Sequence, residues 1–512
     1  MDIHDQATID TDSYRLRHFV EKLIQSDELE IVDAPTSLSA LASHWVGNEK
    51  AVLFRDAGPE KAEIIANLMA GRGRLARALD TTEDNLLQAL LGRLATPQAV
   101  VEIDTAAAPV HQVIWTGDDA DFLRLPIPVQ HALDGGPYLS STIDITINPE
   151  TGLTNVGCRR MMITGRREAG VDATAPSDLR AIYEGCARRG EKLPVSFVLG
   201  AHPTVHLAGT MRVLGDETEL IARLRGAALP VVKCITNDIR VPADAEMILE
   251  GYFDERGYVQ DEGPFGEFMG YYGLMKQNPV FHLTAITMRN DAMFQTSTIS
   301  GPALRNTDSG CMGALRTESI AWRALQTAIR EPVAIYATSS HNIRLAMRPR
   351  VPGEARNAIA CLFGCLANVK NVFVVDEDID IFDDRQIDWA MATRFQPERD
   401  LVVEGGFRTV PIDPSLYGSR LGSKAGFDLT IAADRKGLME FTVSEAPDIQ
   451  GTRFDSVAAA LADGPKFFQA LMAAIGTDDA RAVIPELEEL RASGRLGRGS
   501  DGEFLLKDRA TA

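Results

Sequence analysis

Residues 142 to 164, "TIDITINPETGLTNVGCRRMMIT", constrain the fold more than any other stretch of the chain. Ile143, Ile145 and Ile147 alternate with polar residues, which is the period of a strand with one buried face. The Pro149 to Gly152 turn then sends the chain back along a partner strand. A hairpin of this kind commits its neighbours to antiparallel pairing. Further short strand patterns follow in "PVSFVLG", "PVVKCIT", "AEMILEGYF", "VFHLTAITMR" and "AMFQTSTIS", at intervals too short for helical crossovers. The helical patterns "SDLRAIYEGCARRG" and "ETELIARLRGAA" fall between them. The middle third is therefore expected to be a mostly antiparallel sheet or barrel with helical insertions.

A chain of 512 residues exceeds what one core can support, and its flanks read differently. Near the start, Leu16, Phe19, Val20, Leu23 and Ile24 recur at helical spacing before "ELEIVD" alternates as a strand. "KAVLFRDAG" predicts a second strand, and residues 61–95 predict two helices around the basic turn "GRGRLARAL". An N-terminal α/β region is placed at 1–115. A long amphipathic helix, at 312–331, leads to "PVAIYATSS" and a renewed alternation of strands and helices. A C-terminal α/β domain is therefore placed at 332–512, with a helical tail whose polar end, "RASGRLGRGSDGE", is expected to fray or to reach another subunit. The fold class is a multidomain mixture of α+β and α/β.

The chain has 52 basic and 72 acidic residues and a net charge of -20, which disfavours nucleic acid and anionic membrane as partners and favours small ligands. The start, "MDIHDQATIDTDSY", lacks the basic and apolar regions of a secretory signal, and no run of 18 apolar residues occurs. A cytoplasmic location is expected. Six scattered cysteines do not make a disulfide framework, and Cys361 and Cys365, at i and i+4, read as buried thiols. "DEDIDIFDD" lacks the glycine and glutamate of a calcium loop, so one of its later aspartates is expected to cap the next helix. No nucleophile elbow, P-loop or HExxH pattern is present.

The chemistry points to "DEGPFGEFMGYYG", where Glu262 and Glu267 stand five positions apart around Gly263, Pro264 and Gly266. Proline and glycine oppose a regular helix there, so the pair sits on a shaped loop. Asn155 and Arg160 lie on the return strand of the hairpin. An arginine fork beside two glutamates can hold one ionised while burial keeps the other protonated, which makes a proton donor.

At these residues the chain resembles the UbiD family of decarboxylases, which use prenylated FMN. "TNVGCRR", "EGPFGE", "NVFVVDEDIDIFDDRQIDWAMATR" and "LGSKAGFDLTI" are similar to that family's segments, in the family's order, and the resemblance spans nearly the whole chain. It implies a cofactor domain like the split barrel of flavin reductases, placed at 116–311, with 312–331 as linker helix and 332–512 as oligomerisation domain. It also implies that Arg160, Glu262 and Glu267 form the catalytic network, with Glu267 as proton donor and Glu262 holding Arg160. Asn155, Met211 and Lys424 would line the cofactor, Lys424 reaching its phosphate. A divalent ion, Mn2+ or Mg2+, would join that phosphate to Asn155, Glu219 and a third ligand, with K+ nearby. Glu217 competes with Glu219. Where the family has histidine this chain has Asp178, which either ligates the ion or caps the helix "DLRAIYEGC".

The implied reaction is reversible, non-oxidative decarboxylation of an aromatic, heteroaromatic or α,β-unsaturated carboxylic acid through a covalent adduct with prenylated FMN, releasing CO2. Direct loss of CO2 from such an acid would leave an sp2 carbanion too basic to form in water, so the modified flavin serves as electron sink. A flavin prenyltransferase would supply the cofactor, and the resemblance implies a homodimer or a larger even-numbered homo-oligomer. Alternatives are a carboxylase subunit working in reverse and a catalytically silent flavin-binding assembly subunit. The retained Arg160, Glu262 and Glu267 speak against the silent subunit. Arg305, His282 and His341 are candidates for contacts to polar groups of the substrate, each with an ordinary structural role as its alternative.

Overall fold

A computed structural model describes residues 9–301 and 304–507, leaving the side chain of Arg305 outside the described set. At its centre are β1 (Tyr138–Ile147), β2 (Thr154–Ile163), β3 (Glu168–Val171), β4 (Leu193–Leu199), β5 (Met247–Phe253) and β6 (Val280–Met288). They run in the order β1, β2, β3, β6, β5, β4, and β4 pairs back onto β1, so the six close into an antiparallel barrel. Closure leaves these strands no free edge.

Two strands anticipated for this sheet pair elsewhere. Leu229–Lys233 runs parallel to Val100–Glu102 and antiparallel to Arg240–Pro242, while Phe294–Thr296 runs parallel to Ile64–Ala66 in a four-stranded N-terminal sheet. The alternation in a sequence marks a strand, but burial against distant neighbours chooses its partner. The basic segment expected as a turn is itself a helix, Arg72–Ala78, preceded by the strand Ala62–Ala66. Arginine and alanine are good helix formers, and its first guanidinium is forked onto buried Glu318 at 2.7 and 2.9 Å.

The first hairpin contains a bulge that matters for the site. Leu139 pairs with Met161 and Thr142 with Arg159, so Ser140 and Ser141 together stand opposite Arg160. The extra residue reverses the alternation of β1. Leu139 packs in one core with Met161, Phe197 and Phe281, whereas Ile143 and Ile145 pack in another with Val205 and Leu220. Those last two residues belong to α2 (Pro203–Gly209) and α3 (Glu217–Arg225), which follow α1 (Asp178–Arg188) in the chain. At seven residues, and beginning with proline, α2 is too short to reveal itself by periodicity.

A long helix, α4 (Asp308–Ala328), leads out of the barrel region, with the Thr307 hydroxyl accepting from the amide of Gly310 at its start. A five-stranded sheet follows, in the order Pro332–Ser339, Asn342–Met347, Asn371–Asp376, Leu421–Leu429, Leu401–Arg408. Between its strands lie α5 (Glu354–Cys365) and the helix Asp384–Arg394, which Asp383 caps by accepting from the amide of Arg385. Cys361 is half-buried and Cys365 exposed, contrary to the expectation of two buried thiols, because both fall off the buried face of α5, which carries Ala355, Ala358, Ile359 and Leu362. A separate compact unit begins at Ile431, with a core of its own that includes Val457, Leu461, Leu471, Val483, Leu487 and Phe504. Its polar end does not fray among the described residues: Leu496–Arg498 pairs with Phe504–Leu506, held by burial of Phe504.

Across the barrel from the first hairpin, β5 shifts register against β6 between Glu250 and Gly251. A Cβ on Gly251 would run into the carbonyl of His282 and come within 2.6 Å of the Phe281 ring. Gly251→Ala is expected to destabilise the protein by about 3 kcal/mol through overpacking of the barrel wall. Thermal melting of the variant against wild type checks this, and an unchanged midpoint would show that the wall yields.

Candidate active site

Arg160 lies near the end of β2, opposite the bulged serines, and three carboxylates converge on it. Its Nε donates to Glu262 Oε1 at 2.8 Å, its Nη2 to Glu262 Oε2 at 3.3 Å, and its Nη1 to Glu267 Oε2 at 2.9 Å. Asp172, just past β3, approaches Nη2 at 3.2 Å. The guanidinium also lies over the ring of Phe265, 4.5 Å from its centroid. Glu262 is completely buried and takes a further hydrogen bond from Asn278 Nδ2 at 3.0 Å.

The acids reach Arg160 because their segment is a broken ribbon rather than an open loop. Gln260–Glu262 pairs with Lys276–Asn278, and Phe265–Gly266 pairs with Tyr272–Gly273. Between the two pairings, Gly263 adopts a φ of +101° and precedes a cis proline. A side chain at Gly273 would stand 2.5 Å from Glu267 Oε1, so glycine there makes room for the carboxyl. Glycine and proline thus re-aim a ribbon so that residues five apart meet one guanidinium.

Two charged members of the cluster carry no signal in the sequence. Lys276 Nζ lies 2.7 Å from Asp172 Oδ2 and 3.8 Å from Glu267 Oε1. Burial opposes ionisation of Asp172, but Arg160 and then Lys276 outweigh it and hold its carboxyl well below the usual carboxylate range. Tyr138, fully buried beside Phe265, is shifted the other way: burial first, then the Glu262 carboxylate, push its phenol well up.

Beside this cluster is a two-chambered cavity. The narrower chamber, about 300 Å³, is lined by Ser140 and Ser141 of the bulge, His206, Met312 and Phe268, the neighbour of Glu267. The wider chamber, about 550 Å³, is lined by Asn155, Asp178, Met211 and Glu217. The chambers share Arg159, Thr210 and Arg316 in their walls. Burial pushes the His206 imidazole down to about 4, so it is neutral at physiological pH, with Nε2 3.0 Å from Ser141 Oγ.

The residues implied as ligands of a divalent ion divide: Asn155 and Asp178 line the wide chamber, and Glu219 turns away from it. Glu219 does not line the cavity; it turns outward to Arg223 at 3.4 Å, and buried Glu217, accepting from the amide of Val156 at 2.7 Å, stands in the wall instead. Residues two apart on a helix point to opposite sides, so only the orientation of α3 decides between them. Asp178 neither caps α1 nor stands free: Ser177 caps α1, and Arg212 forks onto Asp178 at 2.8 and 2.9 Å. Among the described residues, no group of three or more His, Cys, Asp or Glu side chains is placed to hold a metal ion.

Lys424 is buried, and its ammonium donates to the carbonyls of Phe363 at 2.7 Å and of Leu366 at the end of α5, so it does not line either chamber. His282 is likewise spent elsewhere, 2.6 Å from Asp254 and stacked on Tyr252. His341 stacks on Phe268 with centroids 6.0 Å apart and does not itself line either chamber. The side chain of Arg305 lies outside the described residues.

Comparison with known proteins identifies the family. Residues 101–303 match the 3-octaprenyl-4-hydroxybenzoate carboxy-lyase Rift-related domain, and residues 311–429 match the C-terminal domain of the same family, UbiD. An anhydromevalonate phosphate decarboxylase of Methanosarcina mazei is 30% identical over 419 residues, covering 81% of this chain and 95% of that protein. The UbiD-class enzyme HmfF from Pelotomaculum thermopropionicum, in complex with FMN, superposes with a TM-score of 0.79 at 29% identity, covering 85% of this chain and 98% of that one. An evolved dimeric form of HmfF, in complex with prFMN, gives 0.75 at 29% identity, covering 85% and 97%. The vanillic acid decarboxylase of Sedimentibacter hydroxybenzoicus gives 0.77 at 25% identity, covering 85% and 96%.

The pH response of the charge cluster is open to measurement. A carboxyl whose value is depressed by folding stabilises the protein above its unfolded value, near pH 4, and that increment is lost as pH falls through the folded value. Asp172→Asn leaves Arg160 and Lys276 short of a partner and is expected to cost about 3 kcal/mol at pH 7. The deficit should shrink below about pH 4. Melting curves at neutral and acid pH check this; a deficit that does not change with pH would mean that Asp172 is not ionised in the fold.

Proposed function

Since the chain belongs to the UbiD family and is a carboxy-lyase, we propose that it removes CO2 from an aromatic, heteroaromatic or α,β-unsaturated carboxylic acid beside a prenylated flavin held in the two-chambered cavity. When bound, the prenylated flavin supplies the electron sink that such substrates lack. The observation that carries this reading is the fork of Arg160 onto both Glu262 and Glu267, next in the chain to Phe268 in the wall of a cavity whose chambers hold about 300 and 550 Å³.

Each residue then has a definite task. Glu262, with donors from Arg160 and Asn278, fixes the plane of the guanidinium. Glu267 has one close donor and is the acid of the cluster least saturated with them, so it is the group free to hand a proton to the carbon that CO2 leaves. Two cations against three acids leave surplus negative charge, which one bound proton would relieve. Phe265 and Phe268 exclude water from the same edge, and the neutral His206 can donate or accept at the ring without adding charge. Reversal of the reaction, as a carboxylase, needs the same groups in the same places. A silent assembly role gives no reason to bury this cluster.

The test is to produce the full chain together with a flavin prenyltransferase, identify the bound cofactor by mass spectrometry and measure CO2 release across a panel of unsaturated and aromatic acids. Glu267→Gln is expected to keep its flavin and lose about 10²- to 10⁴-fold in turnover. Near wild-type turnover in that variant would remove Glu267 from the reaction.

A further inference from the structure

Building on the flavin reading above, we propose that Arg316 and Arg323 of α4 meet the cofactor phosphate directly, in place of the divalent ion that the family resemblance implies. Arg316 lies in the wall of both chambers. Its Nη1 donates to the carbonyl of Thr210 at 3.1 Å, its Nε is buried without a partner, and among the described residues no carboxylate pairs with it. An arginine cannot shed its proton, and a guanidinium withdrawn from water without a counter-charge is destabilising. The fold keeps this charge for an anion that enters the cavity.

The other cations near the wide chamber are committed. Arg159 lies 3.7 Å from buried Asp144 and donates to Ser177, Arg212 is forked onto Asp178, and Lys424 is spent on the carbonyls of α5. Arg323 follows Arg316 by seven residues, two helical turns, and therefore shares its face; it lines the wide chamber and carries no acid partner among the described residues. The acid cluster borders the narrow chamber through Phe268, which sends the reactive ring there and the phosphate-bearing tail past Arg316 into the wide chamber. Arginine is suited to phosphate, since its planar fork matches two oxygens at once. Asp178 is engaged by Arg212 and Glu219 by Arg223, which leaves Arg316 and Arg323 as the cationic charge in the wall without an acid partner among the described residues.

The experiment uses the full chain purified without flavin and titrated with FMN or riboflavin, in EDTA and in added Mn2+, following flavin fluorescence. Wild type is expected to prefer FMN, with a preference that EDTA does not change. Arg316→Met should weaken FMN by about tenfold to a hundredfold while leaving riboflavin within about threefold. Arg316→Lys should recover part of the loss, and Arg323→Met should lose less because that side chain is more exposed to solvent. The inference fails if EDTA abolishes the FMN preference of wild type, or if Arg316→Met weakens FMN and riboflavin alike. Wild type that binds neither flavin would overturn the flavin reading itself, and this inference with it.

Discussion

One buried guanidinium organises the charge cluster beside the cavity. Arg160 comes from the barrel, Glu262 and Glu267 from a broken ribbon, and Asp172 from the chain beyond β3, so three segments with separate backbones are tied at a single point. A pairing of this kind stabilises weakly by itself, because desolvation offsets most of the attraction. Its value lies in direction: a planar fork with fixed donors accepts carboxylates at set angles and at no others. The acids are thereby held about one guanidinium in one geometry.

The barrel makes that point rigid. Closure removes free edges, and the bulge between Leu139 and Thr142 serves two ends at once. It turns Ile143 and Ile145 outward to the helices that carry His206 and Glu217, and it sets Ser140 and Ser141 in the wall opposite Arg160. Without the extra residue, one face of β1 would have to serve both the packing of the helices and the lining of the narrow chamber.

Much of this was legible from the sequence because it is local. The hairpin, its turn and the Gly-Pro interruption between two glutamates are all short-range signals, and each constrains its own neighbourhood. What was not legible depends on direction or on reach. Asp172 and Lys276 look like ordinary solvated charges until the fold brings them beside Arg160. Glu217 and Glu219 differ by less than a helical turn, so the choice between them belongs to the packing of α3 and not to its sequence. Lys424 sits in a segment that resembles a phosphate-binding one, yet its long stem carries the ammonium to the carbonyls of α5. Strand partners were lost for a related reason, since Leu229–Lys233 and Phe294–Thr296 are recognisable as strands but paired by distant burial.

The placement of Lys424 has a mechanical consequence. By binding the carbonyls at the end of α5, it anchors the start of the segment 366–369, which lines the wide chamber. The sheet strand that carries this lysine therefore bears on the width of a chamber that the lysine itself does not line. Selection for bulkier or slimmer occupants can act on that strand, at a distance from the reacting atoms, while the acids themselves stay unaltered.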